Sequence, residues 1–390
     1  VRIGLNATCF DDRPSGANQR FRQLYGAVIR RNPDTEFLIY DSADAPVSAW
    51  FDGLPNAAAR RTPVPSRGRI ARARTGMRYW TRALRRDALD LFETFSLPLV
   101  AAPDCPTLLT VHDLRAVHAG VGTTIDRLLA RIVLRDAFDR ASHIVTVSGA
   151  VRDEILARHP SADVSLIHNG IDRAAFEAPD PDLIAATRER YALPGAFALC
   201  VGHLEPRKNL PLLIDAVAIL RRRGRARPLV IVGRDGGQRR TIAARIARLR
   251  VETLVTLIDD ADDAALRGLY AASSLVVMAS RDEGFGIPLL EAMAAGKPLV
   301  LSDIPVFREL TQARGCYFGV DDAQGAAAAI DRVWTDAAVR DRLVGLGRDR
   351  VRDFGFDRLA DRMSSLYASL AGAAASPRMR AIRARAAARE

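Results

Sequence analysis

Short apolar runs alternate with longer stretches in which apolar residues recur every three or four positions, and the alternation continues along most of the chain. The runs at Val1–Asn6, Glu36–Tyr40, Leu91–Phe95, Thr107–Val111, Ile144–Val147 and Ser165–His168 are short, and most are rich in β-branched or aromatic residues, which predicts a first series of strands. A second series is predicted at Ala198–Val201, Pro228–Val232, Leu254–Leu257, Leu275–Met278 and Pro298–Leu301. Between the strands lie amphipathic segments such as Asn209–Arg223 and Asp263–Ala272, with the period of a helix. Strands alternating with helices predict parallel sheets, so the fold class is α/β with two domains. The proline- and carboxylate-rich stretch Glu177–Asp182 interrupts the pattern and reads as the linker. The expected division is residues 1–176, residues 177–353 and a C-terminal helical segment, 354–390.

Length and composition fit this division. A chain of 390 residues, 48% of them apolar, exceeds the size at which one core usually stops growing. No run of about 18 apolar residues is present, and Val1–Leu5 reads as a strand and not as a signal peptide, so a cytoplasmic protein is expected. Cys9, Cys105, Cys200 and Cys316 are far apart and show no metal-ligand spacing with the histidines, which predicts reduced, mostly buried thiols. The net charge of +11 comes almost wholly from arginine, because Lys208 and Lys297 are the only lysines. Lys297, just after Gly296, reads as a solvated helix cap.

The most informative segment is Glu283-Gly284-Phe285-Gly286-Ile287-Pro288-Leu289-Leu290-Glu291. A glycine turn leads into a helix opened by Pro288, which presents free N–H groups and the positive end of a helix dipole to an anion. The two carboxylates are acceptors for hydroxyl groups. One compact element thus offers places for a phosphate and for a sugar, and a ligand with both is a sugar nucleotide.

With its neighbours Ser280-Arg281-Asp282 and Glu291-Ala292-Met293-Ala294-Ala295-Gly296, this segment resembles the E-x7-E motif of retaining GT-B glycosyltransferases, the GT4 or "glycosyl transferases group 1" family. Val201-Gly202-His203-Leu204-Glu205-Pro206-Arg207-Lys208-Asn209-Leu210 resembles the family's diphosphate-binding strand and turn. Ile167-His168-Asn169-Gly170-Ile171-Asp172 resembles its interdomain signature, with His168 in place of the usual proline. The resemblance spans about Val1 to Leu370. It implies a GT-B fold whose two sheets face a central cleft, and final helices, here Phe354–Leu370, that cross back to the first domain. The remainder, Arg378–Glu390, reads as a frayed or surface helix.

The resemblance also assigns roles. Arg207 and Lys208 would hold the diphosphate, Glu291 the ribose hydroxyls, and Gly284, Phe285, Gly286 and Ile287 would supply N–H groups. Glu283 would position the donor sugar and stabilise charge. His112, followed by Asp113 at a strand end, would stand near the sugar's primary hydroxyl. Gly16 would let backbone approach a phosphate in a loop where Ser15 replaces a second glycine. The family transfers a sugar from a nucleotide diphosphate donor such as GDP-mannose or a UDP- or dTDP-sugar, with retention and without metal. Overall resemblance to O-antigen mannosyltransferases favours mannosyl transfer to a saccharide or lipid-linked acceptor in surface polysaccharide synthesis. Base contacts are expected near Val232–Gly237 and Leu257–Asp260. His118, His143, His159 and His203 receive no role.

Between Asp52 and Asp87 the chain has ten arginines and no carboxylate, interleaved with Ile70, Met77, Tyr79, Trp80 and Leu84. Residues 58–86 therefore read either as a surface for anionic lipid headgroups, placing the protein peripherally on a membrane, or as a solvated basic helix with inward aromatics. Two other functions remain open at this stage. One is a GT-B relative that hydrolyses or epimerises a sugar nucleotide. The other is a basic membrane- or nucleic-acid-binding protein on a retained scaffold, although no nucleic-acid fold accompanies the charge and no nucleic-acid partner is expected.

Overall fold

In the computed structural model, residues 1–12, 15–100, 102, 104–115, 123–177 and 180–374 are described, without the side chains of 69, 70, 73, 77, 78, 373 and 374. Pro14 of the glycine loop, His118, linker residues Ala178 and Pro179, and the basic tail Arg378–Glu390 lie outside the described residues. So do the side chains of Ile70 and Met77. The chain forms two compact units: Val1–Gly170 together with the chain from Phe356, and Ile171–Gly355. Residues 171–176, which the sequence pattern places with the first domain, belong to the second unit. Ile171 N–H donates to Phe354 O at 3.0 Å and is bridged to Gly355. The expected linker is partly helical, since Ala174–Glu177 forms a helical turn and Asp180 caps the helix Pro181–Arg190.

The first unit contains β1 (Arg2–Asn6), β2 (Glu36–Asp41), β3 (Ala57–Arg61), β4 (Leu91–Thr94), β5 (Thr107–Val111), β6 (His143–Thr146) and β7 (Val164–Leu166). They form one parallel sheet in the order β3-β2-β1-β4-β5-β6-β7, with Ile3 opposite both Phe37 and Leu91. The central strands are buried on both faces, which is why they read as apolar runs. Helices α1 (Gly16–Arg20) and α2 (Gly26–Arg31), the π-helical turn Phe21–Tyr25 that joins them, and Phe356–Ala374 pack on one face through Phe21, Leu24, Leu359 and Met363. The other face is covered by α3 (Arg69–Asp87), α4 (Thr124–Arg140) and α5 (Gly149–Arg158).

The second unit contains β8 (Ala198–Val201), β9 (Leu229–Val232), β10 (Val255–Ile258), β11 (Leu275–Met278), β12 (Leu299–Ser302) and β13 (Cys316–Phe318). Its parallel sheet runs β10-β9-β8-β11-β12-β13. From β8 the chain winds outward through β9 and β10, then returns to β11 and winds the other way, so the order reverses between β8 and β11. In an open parallel sheet such a reversal opens a crevice beyond the carboxyl ends of the strands. The first unit has the same reversal between β1 and β4.

Strands β3 and β13 have no counterpart among the predicted strands. β3, Ala-Ala-Ala-Arg-Arg, lacks β-branched residues, and both strands lie on a sheet edge where one partner suffices. None of the four cysteines is in a disulfide, but only Cys200 is fully buried; Cys9, Cys105 and Cys316 are partly exposed. Lys297 is not a solvated cap. Its Nζ is part-buried and donates to Ala271 O at 2.8 Å and Ser273 O at 3.0 Å, closing the carboxyl end of the helix Asp263–Ala272.

Candidate active site

The reversal point of the second unit brings together motifs from two strands. After β8, the chain passes Gly202 and forms a short helical turn, Pro206–Lys208, before Asn209 in the left-handed region opens the helix Leu210–Arg222. Gly202 and Gly233, each just beyond a strand, touch through their backbones. A Cβ on Gly233 would stand 2.1 Å from Gly202 O, so only glycine permits this approach. The turn is held to the loop after β11 by Arg281 N–H, which donates to Arg207 O at 2.8 Å.

Glu283, in that loop, lies at the centre of a buried charge cluster. Lys208 Nζ donates to its Oε1 at 2.6 Å, Ser280 Oγ donates to the same oxygen at 2.7 Å, and Arg207 Nη1 donates to Oε2. Ser280 is fixed in turn because its carbonyl accepts from Ser302 Oγ at 2.6 Å. Burial alone would raise the Glu283 pKa, but Lys208 and Arg207 outweigh it and hold the carboxyl at about 2. Arg207 is also paired through Nη2 with Glu205 at 2.7 Å. Its buried Nε has no protein partner. The resemblance gives these three residues to the ligand; the structure binds them first to one another.

The helix Ile287–Ala294 follows at once. Gly286, with φ of +103°, is its N-cap, and Pro288 sits in its first turn. The N–H groups of Gly284, Gly286 and Ile287 donate to no protein acceptor among the described residues. Phe285 is buried edge-on against Phe354 and anchors the turn. One turn further along, Glu291 is 8% exposed and accepts from Tyr270 Oη through Oε2 at 2.8 Å. Its Oε1 has no protein partner among the described residues. Burial pushes the Glu291 carboxyl up to about 7, against the Tyr270 hydrogen bond and with a smaller push from Asp263. Two carboxylates eight residues apart therefore have opposite characters. Glu283 is a fixed anion, whereas Glu291 titrates near neutrality.

In the first unit, Ser15 acts as N-cap of α1, its Oγ accepting from Asn18 N–H at 3.1 Å, so Gly16 begins a helix directly. His112 follows β5 and its Nε2 is shut off from solvent without a partner. Burial, and then repulsion from Arg20, lower its pKa to about 4. Asp113 does not orient His112, because its Oδ2 is taken by Arg115 Nε at 2.9 Å. His143 is tied to Ser165 and Asp163, and His159 faces Asp139, all within the first unit.

Sequence reasoning missed Arg20. It is 1% exposed; Nη1 donates to His168 O at 2.6 Å and Asn169 Oδ1 at 3.1 Å, and Nε and Nη2 reach no acceptor in hydrogen-bond geometry. Buried Glu93, which accepts from Tyr25, Thr110 and Tyr367, supplies part of the compensating field. An arginine among so many carries no local signal, and Tyr270, distant in sequence, carries none either. The carboxyl ends of β1 and β4 also border a pocket of about 370 Å³, lined by Asn6, Thr8, Arg72, Trp80, Ser96 and Arg140 among others.

Two Rossmann-like units, each all-parallel and each reversing its strand order at mid-sheet, define the GT-B class of nucleotide-sugar enzymes. Sucrose-phosphate synthase of Thermosynechococcus elongatus has the same fold, with a TM-score of 0.78 at 22% identity over 95% of this chain and 99% of that one. So does HepE of Anabaena, solved with UDP and glucose, with a TM-score of 0.72 at 19% identity over 95% and 99% of the two chains. The description "Glycosyltransferase Family 4" matches residues 14–175 and "Glycosyl transferases group 1" matches residues 187–350. The chain belongs to this glycosyltransferase family. Its curated relatives include the O-antigen chain mannosyltransferase RfbU of Salmonella typhimurium, 29% identical over 58% of this chain and 60% of that protein. Phosphatidyl-myo-inositol mannosyltransferase of Mycobacterium tuberculosis is 28% identical over 96% of this chain and 98% of that one. The match thus spans less than two thirds of the first relative and nearly all of the second.

Proposed function

We propose that the protein transfers a mannosyl residue from GDP-mannose, with retention, to a saccharide carried on a lipid in surface-polysaccharide assembly. The observation that carries this reading is the Glu283–Lys208–Arg207 cluster at the β8/β11 reversal, beside three N–H groups with no protein acceptor among the described residues. Cleaving the anomeric C–O bond leaves negative charge on the departing diphosphate. Arg207 Nε, the remaining N–H bonds of Lys208 and the N–H groups of Gly284, Gly286 and Ile287 are suited to receive it. Glu283 acts here as a positioning residue that fixes both cations. The donor phosphate oxygen takes the acceptor hydroxyl's proton, so no protein base is needed. Glu291 accepts from the ribose hydroxyls through Oε1.

Metal independence belongs to this reading, since the neutralising charge comes from protein groups. The mannosyl assignment and the lipid carrier rest on the names of the relatives. The pocket of about 370 Å³ in the first unit, with Arg72 and Arg140 for anionic oxygens and Trp80 for a sugar face, suits such an acceptor. No helix among the described residues is long and apolar enough to cross a membrane.

The test is GDP release from GDP-mannose in EDTA, with and without octyl α-mannoside as acceptor probe. Acceptor-dependent release with an α-linked product is expected. Release or epimerisation at the same rate without acceptor would replace the transferase reading with a hydrolase or epimerase one.

A further inference from the structure

Helix α4 carries apolar stripes on opposite sides. Ala130, Leu134, Ala137 and Phe138 are buried in the core with Leu109 and Val111 of β5, Ile144 of β6, and Val151 and Ile155 of α5. Ile125, Leu128, Leu129 and Ile132, spaced i, i+3, i+4 and i+7 on the outer side, are 70%, 57%, 54% and 58% exposed. Apart from Val1, no other large apolar side chain is exposed among the described residues, so this stripe is not the scatter of single apolar residues that every surface shows.

The surroundings of the stripe are basic. Arg131 and Arg135 are exposed on α4 itself, and its later carboxylates, Asp136 and Asp139, are ion-paired with Arg140 and Arg135. Asp126 is engaged in the Thr123 capping box. Helix α3 covers the same face of the sheet, and the two helices meet at the pocket lined by Arg72, Trp80 and Arg140. Among the described side chains of α3, Trp80 and Leu84 are buried, and Arg74, Arg82, Arg85 and Arg86 are exposed, with Arg86 paired to Asp87. The division is clear: α3 offers charge and α4 offers apolar side chains from one side of one unit. Two such stripes face to face would bury well under the roughly 1,200 Å² that stable dimers need. A bilayer sets no such threshold and prefers this pairing of apolar stripe with arginine.

We infer that the outer stripe of α4 docks the protein on an anionic lipid bilayer, with Ile125, Leu128, Leu129 and Ile132 entering the headgroup–acyl boundary while the arginines of α3 and α4 rest on lipid phosphates. The inference takes its purpose from the reading of a lipid-linked acceptor, but its test does not depend on turnover. The full chain is sedimented with vesicles of phosphatidylcholine and phosphatidylglycerol at 1:1 and with pure phosphatidylcholine, alongside the triple variant Leu128→Gln, Leu129→Gln, Ile132→Gln. Glutamine is a good helix former, and these side chains have no core contacts to lose. Binding to the anionic vesicles should fall at least about tenfold in the variant, with unchanged circular dichroism. Wild-type binding should weaken with salt. Equal binding by the variant, or no binding of the wild type to anionic vesicles, would overturn the inference. So would a wild-type dimer without lipid that the triple variant dissolves, because the stripe would then be covered by a second copy. If nucleotides fail to bind but vesicle binding follows the stripe, the transferase reading falls and the docking surface stands.

Discussion

Replacing Glu291 by glutamine separates what this carboxylate does for the fold from what it does for the ligand. The side chain is buried, its carboxyl is pushed up from an ordinary 4.5 to about 7, and its one protein donor is Tyr270. Between those two pH values the folded chain holds a proton that the unfolded chain has released. Stability contributed by the protonated group is therefore present below about pH 4.5 and lost as pH rises to about 7. At about 1.4 kcal/mol per pH unit the loss is bounded at about 3 kcal/mol. Glutamine keeps the shape, still accepts from Tyr270 and never ionises. Glu291→Gln should equal the wild type at pH 4.5, gain on it steadily to pH 7 and remain up to about 3 kcal/mol more stable at pH 8. Urea titrations followed by tryptophan fluorescence across that range read the gap. In the same variant the affinity for nucleoside diphosphate should drop about ten- to a hundredfold, the value of a hydrogen bond to a charged acceptor. A stability gap that does not change with pH, or a variant less stable than the wild type at pH 8, would refute the argument.

Two further substitutions test the phosphate side of the site. Lys208→Ala leaves Glu283 its bonds to Arg207 and Ser280, so the chain should fold. Turnover should fall about a hundredfold, as one preorganised donor worth roughly 3 kcal/mol is lost, and wild-type rates would remove Lys208 from the chemistry. Gly233→Ala forces a methyl group to 2.1 Å from Gly202 O and should cost about 3 kcal/mol in a urea titration; a loss under about 0.5 kcal/mol would show that the two loops are not held together as described.

The sequence pattern revealed those parts of the molecule that are local in the chain. Strands buried on both faces appear as apolar runs, which is why β1, β5, β8 and β11 were legible and edge strands β3 and β13 were not. The site motifs around Arg207 and Glu283 were legible because each is contiguous and follows a strand. Their mutual pairing was not, since it joins residues 75 and 76 positions apart. Glu93 illustrates the limit: its donors Tyr25, Thr110 and Tyr367 come from three elements, the last 274 residues away. Both stripes of α4 are apolar in sequence, the outer one the more so, and only packing decides which one meets the core. For residues 58–86 the aromatic Trp80 turns inward, which the charge pattern of the segment alone does not decide.

The central claim is that the second unit binds a nucleoside diphosphate through protein groups alone. Its most direct test is the thermal stabilisation of the full chain by GDP, UDP, dTDP and ADP in EDTA, each at about a hundred times a plausible Kd, where one-site binding contributes roughly 2.7 kcal/mol. The account predicts clear stabilisation by GDP, reduced in Lys208→Ala and Glu291→Gln. Silence from all four nucleotides, or stabilisation that both variants retain in full, would contradict it.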